Sequence, residues 1–194
     1  MNYRHAFHAG NFADVFKHAL LCRALVYLTQ KSTPLRYLDT HAGAGSYDFS
    51  GEAAQRTGEW REGVGRIEAA GMPDAVRDLL EPWMRAGDVS GAATVTYPGS
   101  PLLAMRLLRP VDRLTFCEPH PAVAKALAGA VARDKRVNIV RRDGYDTLLA
   151  WAPPPERRGL VLIDPPFEAG DEFARLAAAL VAAWRKWPIG RAHV

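Results

Sequence analysis

RLTFCEPHPAVAKALAGAVARDKRVNIVRRDGYDTLLAWAPPPERRGLVLIDPPF, residues 113–167, is the stretch whose rhythm sets the architecture. Arg113–Cys117 reads as a short apolar strand that ends at Glu118. An Ala-rich helix follows over 121–133. Val137–Val140 is a second strand, ending near Asp143, and a short helix follows over 144–151. Gly159–Ile163 is a third strand, running into Asp164-Pro165-Pro166-Phe167. Strands that alternate with helices imply parallel βαβ units and a doubly wound α/β sheet. Ligands of such sheets lie outside the carboxyl ends of the strands. Glu118, Asp143 and Asp164 all fall at those ends.

Upstream, residues 35–39 (LRYLD) read as one more short buried strand, ending at Asp39 and followed at once by THAGAGS. Four strands that each end in an acid point to one shared site. Residues 11–30 read as a helix. Asn11 can cap it, with Asp14 three positions on, and Phe12, Val15, Phe16, Leu20 and Val26 lie close to helical spacing. The stretch 46–110 differs: it is polar and Gly-rich, with helical patches near 74–86 and 101–109, and Pro73 and Pro98-Gly99-Ser100-Pro101 punctuate it. It is read as a small helical insertion between the first and second strands of a single domain spanning 1–194. Another helix is expected over 171–186. The four strands predict the order 3-2-1-4, with the strand before Asp164 left as an exposed edge.

The chain has 194 residues, 48% hydrophobic and 24% charged, the profile of one ordinary soluble globular domain. No apolar stretch reaches the roughly 20 residues that span a bilayer, so no membrane association is expected. The opening MNYRHAFHAGNFAD is too polar for a secretory signal. Cys22 and Cys117 stand in neither metal-like nor redox-like spacing, which fits a reducing cytosol and predicts a cytoplasmic protein. A net charge of +4 is compatible with nucleic acid without requiring it.

Gly43-Ala44-Gly45 can bring backbone close to a nucleotide-like ligand, or can simply form a turn; the third glycine of a dinucleotide fingerprint is missing. Glu118, at the tip of the second strand, is placed to accept both hydroxyls of a ribose, against the alternative of an acid facing solvent. In dinucleotide folds such an acid follows the Gly loop by about 20 residues; here the 46–110 stretch intervenes. Asp143-Gly144 either accepts an adenine amine and leaves room for its ring, or is a plain Asp-Gly turn. The strongest signal is Asp164-Pro165-Pro166-Phe167. Two prolines stiffen the loop and withhold two N–H donors. The Asp164 carboxylate and Pro165 carbonyl can hold an amine on a purine ring, and Phe167 can stack on an extruded base. Methyl transfer from a sulfonium needs no metal; positioning and electrostatics supply the rate.

Tyr3, His5, Phe7, His8, Lys17 and His18 crowd the N-terminus. No Cys accompanies them, and Asp14 with His18 makes only two ligands, so no zinc site is expected. Aromatic and basic residues in a mobile arm suit base stacking and phosphate contact. A segment packed against the sheet is the alternative.

YRHAFHAGNFADVFKH at 3–18, YLDTHAGAGSY at 37–47, RTGEW at 56–60, YPGSPLLA at 97–104, Glu118, the DG at 143–144 and RRGLVLIDPPF at 157–167 together resemble the RlmJ family, the bacterial 23S ribosomal RNA adenine-N6 methyltransferases. The resemblance covers nearly the whole chain, in order. It implies a Rossmann-like methyltransferase fold with a small inserted helical subdomain, S-adenosylmethionine as cofactor, and one adenine of 23S rRNA as target. The family's cofactor contacts fall by position on His18, His41, Ser100, Glu118, Asp143, Gly144 and Asp164. Its catalytic acid falls on Asp164 and its RNA-engaging tyrosine on Tyr3, while Pro165 and Phe167 face the substrate base. Lys17 is an additional contact to the cofactor's carboxylate. Phe167 replaces a tyrosine often found there; both stack. The family continues for many tens of residues beyond the helix ending near Trp187, whereas this chain stops at Val194. A C-terminally shortened, incomplete sheet is therefore expected. The expected substrate is protein-free 23S rRNA or an early assembly precursor, acted on by a monomer. Two alternatives accompany this reading. One is a methyltransferase for another base, DNA adenine N6 or rRNA guanine N2; the other is an inactive fragment that binds RNA or cofactor.

Overall fold

The computed structural model describes residues 4–67, 72–89 and 91–188. Helix α1 (Phe12–Thr29) begins where the Asn11 side chain accepts the Asp14 N–H at 3.0 Å, the cap its sequence calls for. Its buried face consists of Asp14, His18, Ala19, Leu21, Cys22 and Leu25. The bulky residues whose spacing marked the helix, Phe12, Phe16 and Leu20, are instead exposed. The inner face mixes small and polar side chains with Leu21 and Leu25, and it packs against two other helices, α3 (Asp74–Gly87) and α4 (Ser100–Leu107).

The main sheet contains β1 (Arg36–Asp39), β4 (Arg113–Cys117), β5 (Val137–Val140) and β6 (Gly159–Leu162), all parallel, in the order β5-β4-β1-β6. This is the expected 3-2-1-4. Asp39 stands in register with Phe116 on one side and Leu162 on the other. Among the described residues β6 is an edge, and its four residues are each partly exposed. Helices α5 (Pro121–Ala130) and α6 (Gly144–Trp151) connect successive strands, and α7 (Glu172–Lys186) follows β6 and packs on α6.

The stretch between β1 and β4 is not wholly helical. Besides α2 (Glu52–Thr57), α3 and α4, it carries β2 (Ser46–Asp48) and β3 (Thr96–Pro98), an antiparallel pair with Tyr47 opposite Tyr97. These two strands and α3 enclose one core with α1, built on Trp83, Tyr97, Phe49 and Leu103. A second core lies against the main sheet and holds Tyr37, Phe116, Leu25, Leu114 and Leu127, with Ala104 and Leu108 joining it from α4 and its end. Each large side chain buried in these cores contributes roughly 1.5–3 kcal/mol. At the amino end of the sheet, fully buried Asp112 accepts the Leu35 N–H at 2.8 Å and is paired with Arg109, which also donates to the Lys31 and Thr33 carbonyls. That staple fixes where β1 begins, and so where its other end delivers Asp39.

Candidate active site

The turn after β1 is left-handed at Gly43 (φ +66°) and Gly45 (φ +80°), a conformation that strains any residue with a Cβ. A Cβ on Gly43 would also lie 2.4 Å from the Tyr47 hydroxyl. The Gly45 carbonyl accepts the Gly99 N–H at 2.9 Å, tying this turn to the start of α4. Just inside it, fully buried Asp39 accepts the Ser100 hydroxyl at 2.6 Å, the Tyr37 hydroxyl at 3.2 Å and the His41 N–H at 3.2 Å. Burial pushes the Asp39 carboxyl up to about 6, although Ser100 and the His41 N–H oppose the shift.

Glu118, at the carboxyl end of β4, is buried and accepts the His120 N–H at 2.9 Å. Burial raises its pKa against the backbone N–H groups of His120 and Gly43. Asp143, beyond β5, caps α6 with Oδ1, accepting the Tyr145 N–H at 2.8 Å and the Asp146 N–H at 3.1 Å. Its Oδ2 accepts from Arg175 at 2.9 Å. Burial opposes the charge on Asp143, yet these N–H groups and Arg175 hold it below the usual carboxylate range. The neighbouring glycine is required by backbone packing: a Cβ on Gly144 would sit 2.2 Å from the Thr40 carbonyl oxygen. The ring of His41 stands edge-on to Tyr145 with centroids 5.4 Å apart. Burial lowers the His41 pKa, while the carboxylates of Glu172, Asp143 and Asp164 oppose the shift.

The opposite wall comes from α1 and the loop after β6. Lys17 Nζ donates to Asp14 Oδ1 at 2.6 Å and to Asp164 Oδ2 at 2.5 Å, joining the N-terminal helix to the acidic loop. Burial works against the Lys17 charge, but the two carboxylates beside it carry its pKa above the ordinary lysine value. Asp14 also accepts the Gly10 N–H at 2.9 Å and pairs with His5 at 3.0 Å. Burial opposes its charge, and His18, His5 and Lys17 together hold its carboxyl well below the usual range. Asp164 keeps 40% of its side chain exposed. Pro165 is buried. Phe167 sits at φ +53° with 45% of its surface exposed, 4.8 Å from the ring of Phe173. Such a φ is strained for an aromatic residue.

The structure thus gathers Lys17, Asp39, His41, Ser100, Glu118, Asp143, Gly144 and Asp164 around the carboxyl ends of the four parallel strands. His18 stands apart: it is buried, with Nδ1 2.7 Å from the Tyr97 hydroxyl, and burial lowers its pKa to about 3, so it is neutral. Lys17, expected at a cofactor carboxylate, is committed to Asp14 and Asp164. Tyr3 lies outside the described residues. The N-terminal segment from Arg4 is no free arm. It is docked on residues 57–64, where His8 and Asn11 both reach the Glu59 carboxylate, at 2.9 and 3.0 Å. Sequence reasoning missed Asp14, Tyr145, Glu172 and Arg175 around this site, and Tyr97 as the partner of His18. Only Asp14 had carried a signal, as a partner in helix capping and, with His18, as half of an incomplete ligand set.

The donor set fits a nucleoside-containing cofactor. Glu118 and Asp143 present acceptors at adjacent strand ends, with the left-handed Gly43–Gly45 turn following the neighbouring strand β1. Residues 32–193 match the family model described as ribosomal RNA large subunit methyltransferase D, RlmJ. The chain belongs to this family of ribosomal RNA methyltransferases. It is 39% identical over 194 residues to Ribosomal RNA large subunit methyltransferase J of Escherichia coli (strain K12), a match covering 98% of this chain and 68% of that one. The protein of the same name from Haemophilus influenzae is 37% identical, with the same coverage of 98% and 68%. Among solved structures, protein LPL1258 of Legionella pneumophila aligns with a TM-score of 0.81 at 37% identity, over 93% of this chain and 66% of that one. The chain therefore spans about two thirds of the length of the proteins it matches. No described helix is long and apolar enough to cross a membrane.

Proposed function

We propose that this chain transfers a methyl group from S-adenosylmethionine to the N6 amine of an adenine in 23S ribosomal RNA. The observation that carries the reading is the half-exposed Asp164, beside the exposed ring of Phe167 and held from behind by Lys17 at 2.5 Å. Lys17 occupies Oδ2, which leaves Oδ1 to accept an N–H of the target amine. The Pro165 carbonyl accepts the second N–H, so the nitrogen lone pair is turned out of conjugation and toward the methyl donor. Phe167 stacks on the extruded base; such contacts contribute about 1–3 kcal/mol per base. The surplus proton of the methylated amine leaves through the hydrogen bond to Asp164. Asp164 and Pro165 thus meet the charge that develops at the nitrogen with groups already in place.

Bound S-adenosylmethionine supplies an electrophilic methyl group on a sulfonium sulfur. Glu118 accepts the ribose hydroxyls and Asp143 the adenine amine, with His41 alongside. Ser100 and His18 act from the interior, Ser100 by fixing Asp39 under the Gly43–Gly45 turn and His18 through Tyr97. Residues 46–110 form an inserted subdomain in this reading, and the protein works as a cytoplasmic monomer on RNA that is protein-free or early in assembly.

The test is transfer of labelled methyl from S-adenosylmethionine to protein-free 23S rRNA, followed by nucleoside mass spectrometry. Label in N6-methyladenosine is expected. Label in N2-methylguanosine or in DNA overturns the reading. So does transfer of no label either by this chain or by a version extended to the length of its relatives.

A further inference from the structure

Arg175 lies on α7, a full helical turn beyond the acidic loop, yet its side chain turns back to the end of β5. One nitrogen of its guanidinium donates to Asp143 Oδ2 at 2.9 Å, and the other lies 3.7 Å from Glu172 Oε1. Its guanidinium carbon stands 5.0 Å from the centroid of the Tyr145 ring. Tyr145 in turn donates its hydroxyl to the buried Glu172 at 2.7 Å and meets the edge of His41. The guanidinium is therefore held on three sides by an acid, an aromatic face and the carboxylate it serves. A planar fork exploits such a seat and an ammonium does not.

Asp143 spends Oδ1 on capping α6. Its orientation toward a ligand is thus decided at Oδ2, which is where Arg175 binds. We infer that Arg175 is a positioning residue for the cofactor: it fixes Asp143 Oδ2 so that the remaining lone pair on that oxygen accepts the adenine amine. This rests on the assignment of Asp143 to the cofactor's adenine proposed above. It makes α7 part of the cofactor site, and it makes the adenine amine, rather than the ribose, the group whose recognition depends on α7.

Calorimetric binding of S-adenosylhomocysteine and of S-inosylhomocysteine, in which a carbonyl replaces the amine, tests it. Arg175→Ala is expected to weaken the adenosyl ligand by about twofold to fivefold, the upper part of the range for a partly exposed ion pair, and to leave the affinity for the inosyl ligand essentially unchanged. Arg175→Lys is expected to restore part of the loss, since it keeps the charge without the fork. Because Arg175 is half exposed, the variants are compared at matched melting temperature. Equal loss for both ligands, or no loss for either, overturns the inference. A wild-type protein that binds both ligands equally overturns it too, because Asp143 then does not read the amine. A wild-type protein that binds neither removes the cofactor assignment itself and the inference with it.

Discussion

The two walls of the site are built by opposite means. The wall formed by Asp39, Ser100, Glu118 and Gly144 is buried and internally satisfied, its polar atoms answered by backbone N–H groups and neighbouring hydroxyls. The wall formed by Lys17, Asp164 and Phe167 is half exposed and held by an ion pair between two elements far apart in the chain. One wall is made by the fold itself; the other is laid over it. A buried, fully hydrogen-bonded pocket keeps its shape because any departure leaves polar groups unpaired. A wall held by a few contacts at the surface opens at low cost. A small cofactor is served by the first kind of wall. A base that must be drawn out of an RNA helix is served by the second.

Removing the acid of the outer wall gives the largest expected effect. Asp164→Ala deletes the acceptor proposed for the target amine and leaves Lys17 with Asp14. Methyl transfer should fall by about a thousandfold or more, the scale of losing a positioned electrostatic group. The melting temperature should change little, because the side chain is 40% exposed and lies outside the core. Cofactor affinity should fall less than turnover. A variant that keeps normal turnover in the labelled-methyl assay removes Asp164 from the chemistry and erases the functional difference between the walls.

The inner wall should reveal itself through pH. Burial raises the Asp39 carboxyl from 3.8 to about 6. A raised carboxyl binds its proton more tightly folded than unfolded, so its contribution to stability is complete below about pH 4. That contribution is lost as pH rises through 6. The loss amounts to about 3 kcal/mol. Asp39→Asn removes this titration while keeping an acceptor for the Ser100 and Tyr37 hydroxyls. The two proteins should be similarly stable near pH 4, and the variant should be the more stable above pH 6. Taking the difference between urea midpoints across that range cancels every other titrating group. A difference that does not change with pH would show that Asp39 is not ionised against its surroundings.

How much of this could be read beforehand follows the distance over which each feature is encoded. The four sheet strands, their order and their acidic ends are visible because strand, turn and acid are adjacent in the chain. The glycines at 43 and 45 are likewise visible, since a left-handed turn is a local requirement. The pairing of β2 with β3 is not: each strand has three residues, too few to show alternation, and its partner lies beyond α2 and α3. The bond from Lys17 to Asp164 spans 147 positions, and nothing in either segment announces the other. The apolar spacing of α1 identified a helix correctly but not its inner face, because spacing does not say which of several partners a helix packs against. Gly144 shows a subtler limit. The glycine was legible, yet its stated reason, room for a ligand ring, differs from what the structure supplies, which is contact with the Thr40 backbone.

The smallest expected effect concerns the seam between residues 57–64 and the N-terminal segment, which reaches the outer wall through Asp14. Glu59 holds the N-terminal segment by accepting from His8 and Asn11, and the Gly10 carbonyl accepts the Val64 N–H at 2.8 Å across the same seam. The close approach leaves no room for a side chain at position 63, where a Cβ would lie 2.1 Å from the Gly10 oxygen. Glu59→Ala keeps that backbone contact and the cap of α1 but removes both carboxylate bonds. These are partly exposed, so global stability should fall by only about 1 kcal/mol, or roughly 2–4 °C for a domain of this size. The local effect should be larger in proportion. Hydrogen exchange at the Val64 amide should speed up several-fold, while the Thr40 amide, bonded to the Leu162 carbonyl inside the sheet at 3.0 Å, should exchange at the wild-type rate under native conditions. If both amides accelerate together, the segment is part of the same cooperative unit as the sheet. The outer wall would then open only when the whole domain does, and the contrast between the walls would be one of burial and not of mobility.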